Sequence, residues 1–211
     1  MESLNVRAVL PQKNSILSTA YFPPIDYFYA IVNSNKAYIE YHENYQKQSY
    51  RSRCEIFGAQ GVETLIVPII KSSDKKISKI MIDYSTSWIH QHKMAIISAY
   101  GNSPFLVHYQ DEIFQIIDSK PKYLWELNNV LLTKIIELLG TNSIVDKTEK
   151  FKKEYLDDLD LRRLINPKKP NIYKQKPYYQ VFSDKYGYIN NLSILDLLFN
   201  EGPSSESFLR I

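Results

Sequence analysis

At 211 residues, with 26 Lys/Arg, 23 Asp/Glu and a net charge of +3, the chain is long enough for one sizeable core and too nearly neutral to imply a nucleic-acid or membrane partner. Its single cysteine, Cys54, excludes an internal disulfide framework and any cysteine-built zinc cage, and fits a reducing, cytoplasmic setting. The N-terminal "MESLNVRAVL" lacks the charged-then-apolar layout of a signal peptide, and no run approaches the roughly 18 apolar residues of a spanning helix, so a cytoplasmic protein with no membrane span is expected.

In chain order, "SILS" predicts a first strand, the turn "TAYFPP" follows it, and "PIDYFYAIVNS" carries apolar residues at helical spacing. "KAYIEYH" alternates Ala37, Ile39 and Tyr41 with Tyr38, Glu40 and His42, which predicts a half-exposed strand. "RCEIFGAQGVETLIVPII" predicts an antiparallel hairpin around Gly58 and Gly61, and "SKIMIDY" a further strand. Three helices follow: "STSWIHQHKMAIISAY", capped by Ser85 or Thr86; "FLVHYQDEIFQIID", opened by Ser103-Pro104; and "KYLWELNNVLLTKIIELL", stopped at Gly140. In the last of these Leu124, Leu127, Leu131, Ile135 and Leu138 form one apolar stripe.

Residues 141–177 are charged and punctuated by proline, and read as an extended connection wrapped on the surface. Between Lys147 and Lys176 ten Lys/Arg face five Asp/Glu, a local +5 that leaves −2 for the rest of a chain of net +3. A strand at "YYQVF" and a helix at "NLSILDLLFNEGP", stopped by Gly202-Pro203, close the chain. The expectation is a single domain over 1–211: mainly sheet to residue 85, a helical layer over 86–140, the basic connection over 141–177, and a final strand and helix over 178–211. The fold class is α/β, a mixed and partly parallel Rossmann-like sheet flanked by helices.

Four places resemble the WbqC-like family of bacterial proteins. "YYQVFSDKYGYINNLSILDLLFNEGP" is similar to its C-terminal signature, and "AYFPPIDYF" to its N-terminal motif through Tyr21, Pro23, Tyr27 and Phe28. "NYQKQSYRSRCEI" matches a polar segment of the family at Lys47, Ser49, Arg53 and Ile56, and "IDYSTSWIHQHKMAIISAYGNSPF" matches at Asp83, Trp88, His92, Tyr100 and Pro104. The resemblance implies an uncharacterised protein of surface-polysaccharide (O-antigen) gene clusters, with a glycine or aminoacyl-type transferase as the implied activity. Two features depart from the family. Leu17-Ser18-Thr19 stands where the family has His-Gln-Pro, and 141–177 replaces a second α/β segment of its longer members.

The candidate site follows from residue chemistry. "NYQKQSYRSR" is cationic and rich in flat donors, and Asn44, Lys47, Tyr50 and Arg53, with Tyr21, are candidate ligands for a small anionic molecule such as a nucleotide sugar. Arg53, just before a predicted strand, is the expected anchor; Arg51 matters less if it faces solvent. The competing reading is an ordinary solvated loop. His92, on an apolar stripe with Trp88, is a candidate proton carrier or a satisfied core histidine. At a strand end, His42 or Glu43 is a candidate base, against the plainer reading of His42-Glu43-Asn44 as a polar strand exit. Asn128 and Asp196, with Trp88, read as structural support. No metal spacing, Walker loop or dinucleotide-binding glycine motif is present, so no metal or cofactor is expected and nucleic acid is not the expected partner. The alternative function is a non-enzymatic binding protein whose basic 147–176 segment contacts an acidic partner or nucleic acid. Oligomeric state is not legible.

Overall fold

The structure, a computed structural model, describes residues 13–210. β1 (Ser15–Ser18), α1 (Ile25–Asn33) and β2 (Ala37–Glu40) form a β-α-β unit, as the sequence predicts. The two strands run parallel, from Ser15 opposite Ala37 to Ser18 opposite Glu40, and a parallel pair needs a crossover such as α1 to return the chain. Leu17, Ala37 and Ile39 share one face and are buried in the core. The other face holds Ile16, Tyr38, Ser18 and Glu40. Glu40 is 0% exposed, so the strand is not half-exposed as its alternation suggests.

The expected hairpin forms between β3 (Arg53–Gly58) and β4 (Gly61–Ile66), and its tight turn needs the positive φ of +104° that Gly61 supplies. "SKIMIDY" is not a strand. Ile70 takes Met81 carbonyl, Ile82 takes Lys122 carbonyl and Leu124 takes Ile80 carbonyl, so the segment's hydrogen bonds alternate between two neighbours and no ladder forms; a 3-10 turn spans Ile77–Lys79.

The helical layer is α2 (Trp88–Tyr100), α3 (Leu106–Asp118) and α4 (Leu124–Leu138). The start of α2 differs from expectation. Ser87 precedes the helix without a capping bond, because Asp83 takes the Ser85 amide into its own turn. On α4, Leu124, Leu127, Leu131 and Ile135 are fully buried, while Leu138 is half-buried in the last turn.

The segment 141–177 departs most from its sequence reading. It supplies β5 (Val145–Lys147) beside β2 and β6 (Leu159–Asp160) beside β1, giving a parallel sheet in the order β5-β2-β1-β6. Between these strands the chain crosses the Tyr38/Glu40 face as a strap, which is why Glu40 is buried. Further on, Tyr173 stacks on Tyr29 with ring centroids 3.4 Å apart, and the Ile172 amide donates to Asp26 Oδ2 at 2.7 Å, fastening the strap to α1.

"YYQVF" is also not a strand. The Gln180 side chain takes the place of a backbone partner, accepting from the Ile189 amide and donating to the Ile189 carbonyl. After α5 (Ser183–Tyr186), α6 (Ile194–Glu201) starts at Ser193, whose side chain accepts from the Leu195 amide. It stops at Gly202, where φ is +52° and any Cβ would lie 2.5 Å from the Phe105 ring. α7 (Ser205–Leu209) completes the layer against α1. Among the described residues no helix is long and apolar enough to cross a membrane.

Candidate functional site

In a parallel sheet the loops beyond the carboxyl ends of the strands collect the groups that act on ligands. Here β1 ends at Ser18 and β2 at Glu40, and the loop after β2 doubles back so that Glu43 and Arg51 meet over the strand ends. Arg51 Nε donates to Glu43 Oε1 at 2.9 Å, and its Nη2 reaches Glu43 Oε2 at 2.5 Å and Ser18 Oγ at 2.7 Å. Ser18 Oγ donates to Glu43 Oε2 at 3.1 Å. Arg51 is only 3% exposed and Glu43 5%, a buried bidentate pair. Burial pushes the Glu43 carboxyl upward, and the Arg51 guanidinium pulls it part of the way back. Asn128 on α4 sets the arginine in place, donating to the Arg51 carbonyl at 2.8 Å and to Thr19 Oγ1 at 3.2 Å.

A second ionic cluster joins the strap to the sheet. Glu40 Oε1 accepts from Thr148 Oγ1 at 2.7 Å and from the His42 amide at 2.9 Å; Oε2 accepts from Tyr155 OH at 3.0 Å and Arg162 Nη1 at 3.2 Å. Arg162 is held from its other side by Asp160, through Nε at 2.8 Å and Nη2 at 2.5 Å. Four donors on one buried carboxylate leave it fully satisfied.

Between the two clusters lies a cleft of about 170 Å³ lined by Glu43, Asn44, Gln46, Phe151, Lys153, Arg162 and Arg163. Arg162 is committed to Glu40 and Asp160. Among the described residues Lys153 and Arg163 make no ion pair, so two uncommitted cations stand at the rim while Glu43 stands in the wall.

The residues singled out from the sequence divide accordingly. Asn44 lines the cleft beside Gln46, its backbone bridged to Lys76. Lys47 is exposed and outside the lining. Tyr50 is buried, its carbonyl accepting from the Tyr21 amide. Arg53 is half-exposed on β3 near Glu55, away from the cleft, with Nε buried and unpartnered. The segment is a turn followed by a buried 3-10 turn at Tyr50–Ser52, so Arg51 faces inward and not toward solvent.

His92 and Tyr21 form a closed pair 2.9 Å apart at His92 Nδ1. The Ile66 carbonyl accepts from the remaining ring nitrogen, so Nδ1 accepts from Tyr21 OH; burial holds the imidazole down at about 4, against that carbonyl's upward pull. Both residues are nearly sealed from solvent, and Trp88 packs edge-on to the imidazole at 5.0 Å. His42 is exposed, its ring edge-on to Tyr41. Asp196, buried on α6, accepts from Tyr178 OH at 2.5 Å and Gln180 Nε2 at 2.8 Å. Sequence reasoning missed Ser18, Glu40, Lys153, Arg162 and Arg163. Arg162-Arg163 is visible in the sequence as local charge, but the two-residue strand before it is too short to register as alternation. Among the described residues no group of three His, Cys, Asp or Glu side chains has the arrangement to hold a metal ion.

Fold and site together define an α/β protein with a charged cleft at the carboxyl edge of a short parallel sheet. The model of the WbqC-like protein family matches residues 19–169, and the chain belongs to that family. The matched span includes the cleft and the strap and ends before α5. The chain is also 25% identical over 230 aligned positions to an uncharacterised protein of Mycobacterium tuberculosis, covering 94% of this chain and 98% of that one. No solved structure matches it.

Proposed function

We propose that the cleft binds the anionic group of a small substrate between Lys153 and Arg163, and that Glu43 accepts a proton from an attacking amine or hydroxyl in a group transfer. The observation that supports this most is the buried, upward-shifted Glu43 in the wall of a cleft with two uncommitted cations at its rim. Three of the roughly four lone-pair positions of a carboxylate are taken by Arg51 and Ser18, which fixes its orientation and leaves one for a substrate proton. A glycine or aminoacyl-type transfer to an activated sugar, in bacterial surface-polysaccharide synthesis, is the reaction class that fits a carboxylate base beside a phosphate-sized anion site. The reading as a nucleic-acid binder is less favoured, because the basic segment is folded onto the sheet and its cations are divided between clefts and internal pairs.

Calorimetric titration with inorganic phosphate tests the anion site. The Lys153→Glu and Arg163→Glu variants should each bind about tenfold more weakly, as expected for one charge-assisted contact of roughly 1.5 kcal/mol or more. Glu43→Gln should keep binding and lose transfer of a glycyl or acyl group from activated donors, followed by mass spectrometry. Phosphate affinity indifferent to Arg163→Glu in a folded protein overturns the site.

A further inference from the structure

The strap has two sides. Phe151 and Lys153 line the cleft just described, whereas Lys150 and Lys152 line a different one of about 240 Å³ on the Tyr38 face of the sheet. The alternation of adjacent side chains lets one segment furnish cations to two clefts.

The lining of the second cleft combines aromatic, cationic and hydroxyl-accepting groups. Its floor is Ile16 and Tyr38, and its side is Tyr155, whose ring is fixed by the bond from its hydroxyl to the buried Glu40. Lys150 and Lys152 also line it, and among the described residues neither makes an ion pair; Lys152 Nζ lies 5.3 Å from the Tyr155 ring centroid. Asn14 and Asp158 line it as well, and Asn14 Nδ2 donates to Asp158 Oδ1 at 2.9 Å. That bond leaves Asp158 Oδ2 and the side-chain oxygen of Asn14, Oδ1, as acceptors for hydroxyl groups. Asp158 and Glu149 repel a polyanion, so a ligand with charge along its whole length is disfavoured. The volume lies below the roughly 300–1,000 Å³ of most drug-sized sites, which fits one sugar ring and its phosphate better than a whole dinucleotide.

We propose that this cleft is a second subsite, for a sugar phosphate: phosphate on Lys150 and Lys152, the apolar face of the ring on Tyr38 and Tyr155, and hydroxyls on Asp158 and Asn14. It is independent of the anion site beyond the strap, and a transferase with both would hold its two substrates on either side of residues 148–153.

Titrations of the full chain with glucose 1-phosphate, glucose and inorganic phosphate test it. Wild type should bind glucose 1-phosphate at least tenfold more tightly than either fragment. The Lys150→Glu/Lys152→Glu double variant should lose at least tenfold and Tyr38→Ala severalfold, while Lys176→Glu, which lines neither cleft, stays within twofold. Circular dichroism confirms folding; both lysines are exposed. If the double variant and wild type bind glucose 1-phosphate equally, or wild type does not bind it, the proposal is overturned. Weakening by Arg163→Glu alone places the sugar phosphate beyond the strap, which overturns this subsite and leaves the anion site standing. Loss in the double variant with inorganic phosphate indifferent to Arg163→Glu supports this subsite and removes the other.

Discussion

Arg51 and Arg53 sit two residues apart in one polar loop and have opposite fates, because the 3-10 turn at Tyr50–Ser52 rotates the chain between them. Arg51 turns inward onto Glu43, and Arg53 starts a strand at the half-exposed margin of the hairpin. Removing one partner of a buried ion pair strands the other charge without solvent, and costs about 3–5 kcal/mol. Arg51→Ala should therefore lower the urea midpoint sharply, while Arg53→Ala should change the unfolding free energy by only about 1 kcal/mol or less. Equal effects of the two substitutions would show that Glu43 finds solvent or another partner. Phe22 is a further residue-scale feature. It holds φ at +40° in the turn after β1 although fully buried, a strain of about 1–3 kcal/mol that the packed turn sustains beside the strand ends.

At the scale of an element, the strap is pinned to the sheet by Glu40 and to α1 by Asp26 and the Tyr29–Tyr173 stack. The Glu40 contacts matter most to the clefts, since Thr148, Tyr155 and Arg162 bracket the residues that line both. Glu40→Ala should release residues 148–162 and leave the hydrophobic core folded. The expected readout is faster tryptic cleavage after Lys150, Lys152 and Lys153, with weakened binding in both clefts. An unchanged cleavage rate in a folded variant would mean that β5 and β6 hold the strap by themselves.

For the whole molecule, buried ionisable groups set how stability responds to pH. Burial raises Asp26 to about 7, against the Ile172 amide, and Asp196 to about 6, against its Tyr178, Gln180 and Tyr100 bonds. An unfolded chain ionises these carboxyls near pH 4. Their contribution to stability is thus fully present below about pH 4 and is lost as pH rises through about 6 and 7. His92, held down at about 4, works in the opposite sense: its contribution is present above about 6.5 and is lost as pH falls through about 4. Asp26→Asn isolates one group. Each pH unit over which the states differ by a proton is worth about 1.4 kcal/mol, so the melting temperature of the variant should rise relative to wild type between pH 4 and 8. A constant difference across that range would show that Asp26 is ionised in the folded protein throughout.

The β-α-β start, the hairpin, the three central helices and the closing helix were legible in the sequence, because each rests on local signals: periodicity, a glycine at positive φ, a stop at Gly140 or Gly202. "KAYIEYH" was legible as a strand but not in its burial, since the cover over Glu40 comes from a segment more than a hundred residues away. That segment reads as loop because its charges and prolines dominate its composition. Its two strands of three and two residues carry too little periodicity to register. "YYQVF" failed in the reverse sense: its β-rich composition was satisfied by one glutamine side chain instead of a neighbouring strand. The sequence located polar, cationic chemistry after β2, and Asn44 does line the cleft. Only the tertiary structure decided that Glu43 faces that cleft, that Arg51 turns inward to hold it, and that the rim cations come from Lys153 and Arg163. Pairings between distant charges are settled by which backbone passes over which, and no local pattern encodes that.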